Sequence, residues 1–329
     1  MSGELRPPVL RLRGVTKRYG DFLAVGDLSV EIPSGVIYGM LGPNGAGKTT
    51  TLRMVNDILA PDEGEIRLFD DLRPGRIAGR RIGYLPEERG LYPKMRVADE
   101  LRFFGELRGL GRRVASQRAG RWLERLDLTQ WARNKVQDLS KGMQQKVQFA
   151  AALLHEPELL ILDEPWSGLD PINAEVLREI VVAERDAGRT ILFSTHLMEQ
   201  AEQICDHVCL IVRGRKVLDG PLDRIKREAA GDRLVALDFV DPAAEARARD
   251  SVLADPSLVS AMRARRGYLE VEMAGRGQEP ADRLLAQLVG QGIGLRRFEL
   301  VQPSLHQIFV DKVGAENSQK VGTAEVARA

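Results

Sequence analysis

The stretch GPNGAGKTT, residues 42 to 50, satisfies the spacing GxxxxGK[ST]. In such a pattern Gly42, Gly45 and Gly47 free the backbone to wrap a phosphate, Lys48 neutralises β- and γ-phosphate charge, and the Thr49 hydroxyl can ligate magnesium. An ordinary glycine turn can share the letters. Here the stretch follows an apolar strand-like run and opens a helical one, which is the setting phosphate binding requires. A magnesium nucleotide also needs a carboxylate at the end of a nearby buried strand, and LLILDEP supplies Asp163. Glu164, next along, points elsewhere and is placed to act as a general base for water. Alone, an Asp-Glu pair could equally cap a helix; beside the phosphate loop it reads as part of one site.

A second stretch, LSKGMQQK at 139 to 146, also has the look of an anion-binding helix start. Met143, Val147, Ala150, Ala151 and Leu154 fall on one helical face, so that face can pack while the N-terminus points outward. Ser140 and the N–H groups near Gly142 would then offer a hydroxyl and a helix dipole to a phosphate. A simple capped helix fits the local sequence equally well.

These groups need elements to hold them. VLRLRGVTKRY, LAVGDLSVEIP and GVIYGMLG read as strands bounded by Gly, Pro and Asp. The third runs into the glycine loop and then into a helix spaced by Leu52, Val55, Ile58 and Leu59. Residues from about Val97 to Leu128 turn helical, with Leu101, Phe104, Leu107, Trp122, Leu123 and Leu126 as candidate buried positions. Arg and Gly residues at 108 to 121 mark turns and a solvated face. ELLILDEP and TILFSTHL are nearly continuous apolar strands that suit a parallel sheet buried on both faces, and helical runs lie between them.

The fold class is therefore α/β for residues 9–225, with a helical subdomain at about 95–150. A different texture follows: four short strands within 232 to 302 and helical runs near 242 to 254 and 279 to 291. This predicts a small α+β accessory domain at 232–313, then a frayed, small and polar tail at 314–329.

At 329 residues the chain suits two domains. Its 48 Lys and Arg nearly cancel its 47 Asp and Glu, so no global field draws nucleic acid or acidic lipid, and no nucleic-acid partner is expected. Cys205, His207 and Cys209 are too few ligands for a zinc site and read as buried residues of a reducing compartment. No run approaches eighteen apolar residues, and the start lacks the apolar centre of a signal peptide, so the chain should reach a membrane only through a partner.

Taken in order and spacing, GPNGAGKTT, LSKGM, LLILDEP, SGLD and STH resemble the nucleotide-binding subunit of an ATP-binding cassette (ABC) transporter over residues 9 to 220. The resemblance implies a P-loop NTPase core with an antiparallel β subdomain and a helical subdomain. It also implies ATP and magnesium as cofactors, and a head-to-tail homodimer in which Ser140 and Gly142 of one copy face the ATP held by the other. Gly42, Pro43, Asn44, Gly45, Ala46, Gly47, Lys48, Thr49 and Thr50 would hold the phosphates. Tyr19 would stack on adenine, Val25 would line the base pocket, Asp170 would couple the two sites across the dimer, and His196 would contact the γ-phosphate and orient water. The metal ligands would be Thr49, Asp163 and Glu87. His155, His207 and His306 stay outside the site.

Two motifs depart from the family pattern. Glu87, in YLPEERGLYP, stands where a glutamine is usual and adds negative charge beside Asp163 and Glu164. LSKGM replaces LSGGQ, with Lys141 and Met143 as the changes.

The single nucleotide domain, YLPEERGLYPKM and the ending PSLHQIF look like the ATPase of a two-component bacterial exporter of drugs, sodium or small solutes. Such a subunit would sit peripherally at the cytoplasmic face of the membrane on a separate permease. Three other readings are a soluble cassette ATPase acting on ribosomes, a chromosome or repair ATPase, and a nutrient importer. Ribosome-acting cassettes normally carry two nucleotide domains, and repair ATPases carry long heptad runs that this sequence lacks.

Overall fold

The computed structural model describes residues 8–69, 71–88, 90–230, 233–265, 267–275 and 278–312. The chain divides into two compact units, Met1–Gly220 and Pro221–Ala329.

The N-terminal unit runs β1 (Pro8–Tyr19), β2 (Phe22–Pro33), β3 (Ile37–Leu41), α1 (Lys48–Val55), β4 (Glu63–Leu68), the short α2 (Arg76–Gly79) and β5 (Ile82–Leu85). Then come α3 (Val97–Leu107), α4 (Arg112–Arg125), α5 (Lys141–Leu153), β6 (Leu159–Asp163), α6 (Pro171–Asp186), β7 (Thr190–Thr195), α7 (Met198–Ile204), β8 (His207–Val212) and β9 (Arg215–Pro221).

A six-stranded sheet in the order β5-β6-β7-β3-β8-β9 forms the centre. Every residue of β3, β6 and β7 is buried, and these strands pair in parallel. Strands of this kind need apolar side chains on both faces, which is why their sequences run apolar without alternation. A separate antiparallel sheet, β2-β1-β4, aligns Leu10 with Ile32 and Leu12 with Val30. Its inward residues share one core with Tyr38 and Met40 of β3, Leu52 and Met54 of α1, and Ile161 of β6. Helix α1, directly after the glycine loop, is thus gripped by both sheets.

The predicted helix through Leu59 stops earlier. Asp57 takes a left-handed conformation at φ 61°, its N–H donates to the Met54 carbonyl, and the Ile58 N–H donates back to the Arg53 carbonyl at 2.9 Å. That pattern closes the helix and leaves Ile58 55% exposed. Leu107 is also on the surface: α3 ends the same way, with Gly109 at φ 91° and the Leu110 N–H bonded to the Gly105 carbonyl. Trp122 is half-buried, whereas Leu101, Leu123 and Leu126 are core residues.

The C-terminal unit contains α8 (Leu222–Ala230), β10 (Leu234–Phe239), α9 (Pro242–Asp250), β11 (Val259–Arg265), β12 (Tyr268–Met273), α10 (Gln278–Gly290) and β13 (Leu295–Leu300), with a last helix at 305–312. Its antiparallel sheet has the order β11-β12-β10-β13. Val235, Leu237, Leu269 and Val271 pack from one sheet face against Ala244, Ala281 and Leu284 of α9 and α10. The predicted tail at 314–329 lies outside the described residues.

Candidate functional site

Strand β3 delivers the chain to Gly42 at the C-terminal edge of the parallel sheet, where ligands of open α/β sheets bind. Two glycines there are dictated by space. A Cβ on Gly42 (φ 153°) would lie 2.1 Å from the Ile211 carbonyl oxygen, and one on Gly47 (φ 102°) would lie 2.4 Å from that of Ala24. The loop returns into α1, whose first N–H groups have no partners within the helix. Lys48 is 5% exposed; its Nζ donates to the carbonyls of Gly42 (2.8 Å) and Pro43 (3.2 Å) and stands 3.6 Å from Glu164 Oε1.

A cavity of about 310 Å³ opens over this loop. Tyr19, Phe22 and Ala24 form one wall, residues 44–50 the floor, and Glu87 and Glu164 the remaining side. Tyr19 is half exposed, as a stacking surface must be. Val25 is fully buried behind Gly47, and it is Phe22 and Ala24 that line the cavity. A larger cavity, about 550 Å³, is walled by C-terminal residues such as Arg233 and Glu272 and holds none of these groups.

Asp163 ends β6 with no exposed surface. Its Oδ1 accepts from the Thr49 hydroxyl at 3.1 Å and from the Ser194 hydroxyl, while Oδ2 is buried with no partner among the described residues. Burial raises the Asp163 pKa, and the hydrogen bonds from Ser194 and Thr49 work against that rise. A buried carboxylate with one unused oxygen, touching a threonine at the start of α1, fits a hard divalent cation. Among the described residues no group of three His, Cys, Asp or Glu side chains could hold a metal by itself, so phosphate and water would have to complete its shell.

Glu164 has a left-handed backbone, φ 47°. Its Oε2 accepts from Thr195 Oγ1 at 3.3 Å, and its Oε1 lies 3.0 Å from His196 Nδ1. The carboxylate therefore sits among Lys48, Thr195 and His196 with its surroundings fixed.

Ser140, Gly142 and Asp170 do not line this cavity. Ser140 caps α5, its oxygen accepting from the Met143 N–H at 3.3 Å, which leaves its O–H proton able to donate. Asp170 caps α6 by accepting from the Asn173 N–H at 3.0 Å, and hydrogen bonds from Asn173 lower its pKa. The two helix starts are neighbours: a Cβ on Gly142 would lie 3.2 Å from Asn173 Nδ2. Helix α5 is buried well beyond the predicted stripe. Val147, Ala150 and Leu154 are core residues and Met143 and Ala151 half-buried, but Gln145, Gln148 and Phe149 are buried too.

The other histidines lie outside this site: His155 and His207 are half-buried and His306 is exposed. His155 Nε2 lies 2.9 Å from the Ile82 carbonyl oxygen, and burial pushes its pKa down to about 4. His207 stacks near Tyr38, and Cys205 and Cys209 are free and buried.

The ABC transporter family profile matches residues 25–167, and a profile described as "ATP-binding protein DrrA1-3-like, C-terminal domain" matches residues 220–313. The chain is 43% identical over 308 residues to an uncharacterised ABC transporter ATP-binding protein, YhaQ, of Bacillus subtilis, covering 93% of this chain and 99% of that one. It is 40% identical over 248 residues to the Nod factor export ATP-binding protein I of Cupriavidus metallidurans, covering 72% of this chain and 82% of that one. A solved structure, described as that of an ATP-binding subunit of an ABC transporter, superposes with a TM-score of 0.61 at 30% identity, covering 67% of this chain and 92% of that chain.

Proposed function

Because the chain belongs to the ATP-binding subunits of ABC transporters, we propose that it binds magnesium-ATP in the cavity between Tyr19 and Glu164 and hydrolyses it there to drive a separate membrane permease. ATP hydrolysis is the family's reaction. What supports the assignment of residues is one convergence: Lys48, Thr49, Asp163, Glu164 and His196 meet within hydrogen-bonding or ion-pairing reach.

In the proposed cycle the loop amides and Lys48 take the β- and γ-phosphates, Lys48 exchanging its carbonyl contacts for phosphate oxygens. Thr49 and Asp163 would hold magnesium, which when bound supplies positive charge to the phosphate oxygens; Glu87 stands on the same cavity wall. Glu164 accepts a proton from the attacking water, and His196, hydrogen-bonded to Glu164, orients that water against the γ-phosphate. Tyr19 stacks on the base, with Phe22 completing that wall.

Ser140, Gly142 and Asp170 lie on two adjoining helix starts away from the chain's own phosphate loop. We assign them to the ATP of a second copy in a head-to-tail dimer, whose closing and reopening would deliver the stroke. The nucleotide domain is taken as 9–225, with its helical subdomain at about 95–150 and an accessory domain at 232–313. Among the described residues no helix is long and apolar enough to cross a membrane. On its similarity to transporter ATP-binding subunits, we place the subunit on the cytoplasmic face through its permease. Similarity to a Nod factor export ATP-binding protein supports export of a small solute. Copurification with a multispan membrane protein tests the transport reading, and exclusive copurification with ribosomes or DNA would overturn it.

A further inference from the structure

We propose that Gln145 and Gln148 of α5 are positioning residues that tie the phosphate contact at Ser140 to the carboxylates Glu164 and Glu87 of the same chain. Both amides are almost fully buried, at 7% and 5% exposure. Burying an amide costs free energy unless its hydrogen bonds are made, and an apolar side chain of the same length would fill the space more cheaply. Their partners show what they hold. Gln145 Nε2 donates to the Pro165 carbonyl at 3.1 Å, the residue directly after Glu164. Gln148 Nε2 donates to the carbonyls of Pro86 (3.1 Å) and Glu88 (3.3 Å), the two residues that flank Glu87.

Spaced three apart, the two amides share a face of one helix. At 1.5 Å rise per residue they lie about 7.5 and 12 Å along the axis from Ser140. Phe149, Val147 and Ala150 lock the helix body into the core, so α5 moves as a unit. A pull on its N-terminus is therefore delivered to both loops. Pro86 and Pro165 have no N–H, which leaves their carbonyls as the backbone handles at those points. Glu164 is held at φ 47°, a strained conformation that persists only where the surrounding chain holds it, and the Gln145 bond fixes the chain one residue on, at Pro165. Phosphate arriving at Ser140 from the partner's loop would thus set Glu164 and Glu87 in this chain's own cavity, linking the two sites of the dimer. The inference rests on the trans assignment of Ser140 made above.

The test uses the purified full chain with Gln145→Met and Gln148→Met, which keep volume and remove the donors. The expected result is a kcat for ATP lowered roughly tenfold or more, as for other misplaced catalytic groups, with KM, ATP-driven dimerisation and Tm retained. Where a Met variant melts early, its kcat is compared with wild type at a temperature below both melting points, which gives the same reading. A purely structural glutamine would not show the second signature: combining Gln145→Met with Ser140→Ala should lower kcat no further than the slower single variant. A kcat within about twofold of wild type in both Gln variants, or independent multiplicative effects in the pair, overturns the inference while leaving the trans site standing. A wild-type chain that fails to dimerise with ATP overturns both.

Discussion

Lys48 Nζ and Glu164 Oε1 stand 3.6 Å apart, and each side chain is less than a tenth exposed. The cation proposed to take the phosphates and the carboxylate proposed to take water's proton are thus already neighbours. Each offsets the other's burial, and neutralising one leaves the other charge poorly solvated.

Glu164→Gln removes the base and that charge while keeping the side chain's size. Phosphate release should fall by roughly a hundred- to ten-thousandfold, the usual span for a lost general base. Gel filtration with ATP should then show a trapped dimer. Normal steady-state turnover in this variant removes Glu164 from its role.

Ser140→Arg places a long cation where the cap hydroxyl now sits, well away from the chain's own phosphate loop. ATP binding to the isolated monomer should persist, as read by fluorescent-nucleotide titration, and ATP-driven dimerisation should be lost. Lost binding in the monomer would place Ser140 in the chain's own site.

Asp163→Asn leaves the Thr49 hydroxyl without its charged partner and exchanges the unpaired Oδ2 for a weaker ligand set. The magnesium concentration for half-maximal ATPase should rise roughly tenfold or more, as when metal ligation is disturbed elsewhere. An unchanged magnesium titration would separate Asp163 from the metal.

Glu100 of α3 has no exposed surface; its Oε1 accepts from the Tyr92 N–H, its Oε2 has no partner among the described residues, and burial lifts its pKa from 4.5 to about 7. Because the folded chain holds this proton more tightly than the unfolded chain, its contribution is full below pH 4.5 and is lost as pH rises to about 7. Glu100→Gln, which cannot ionise, should therefore stabilise the protein at pH 8 relative to wild type, by up to roughly 3 kcal/mol, and change little near pH 4. Urea titrations at the two pH values read the difference. A gain at pH 4 alone contradicts it.

The phosphate loop and the Asp163–Glu164 pair were legible because their chemistry needs fixed residue types at fixed spacings beside apolar strands, whereas His196 was reached only through the family resemblance. Helix ends were less so. Nothing in Ile58 itself says that Asp57 will turn left-handed, and the Leu52, Val55, Leu59 spacing runs smoothly past that break. Phe22 went unread as a cavity wall because β1 and β2 must first pair, with Tyr19 opposite Phe22, before it is brought to the loop. The same holds for Ser194, which reaches Asp163 only through the β6–β7 pairing. Gln145 and Gln148 look like solvated helix residues in a sequence. Only packing shows that three loop carbonyls lie against them.

The central claim is that each catalytic site is completed by a second copy, and mixing two defective chains tests it directly. Lys48→Ala inactivates a chain's phosphate loop and Ser140→Arg its α5 start, so each pure variant should be inactive. In a mixed dimer, the intact loop of one chain faces the intact α5 start of the other. Only the mixed pair holds a complete site, one of its two, so the mixture should regain up to about half of the wild-type ATPase rate. A mixture as inactive as its two components would contradict the account.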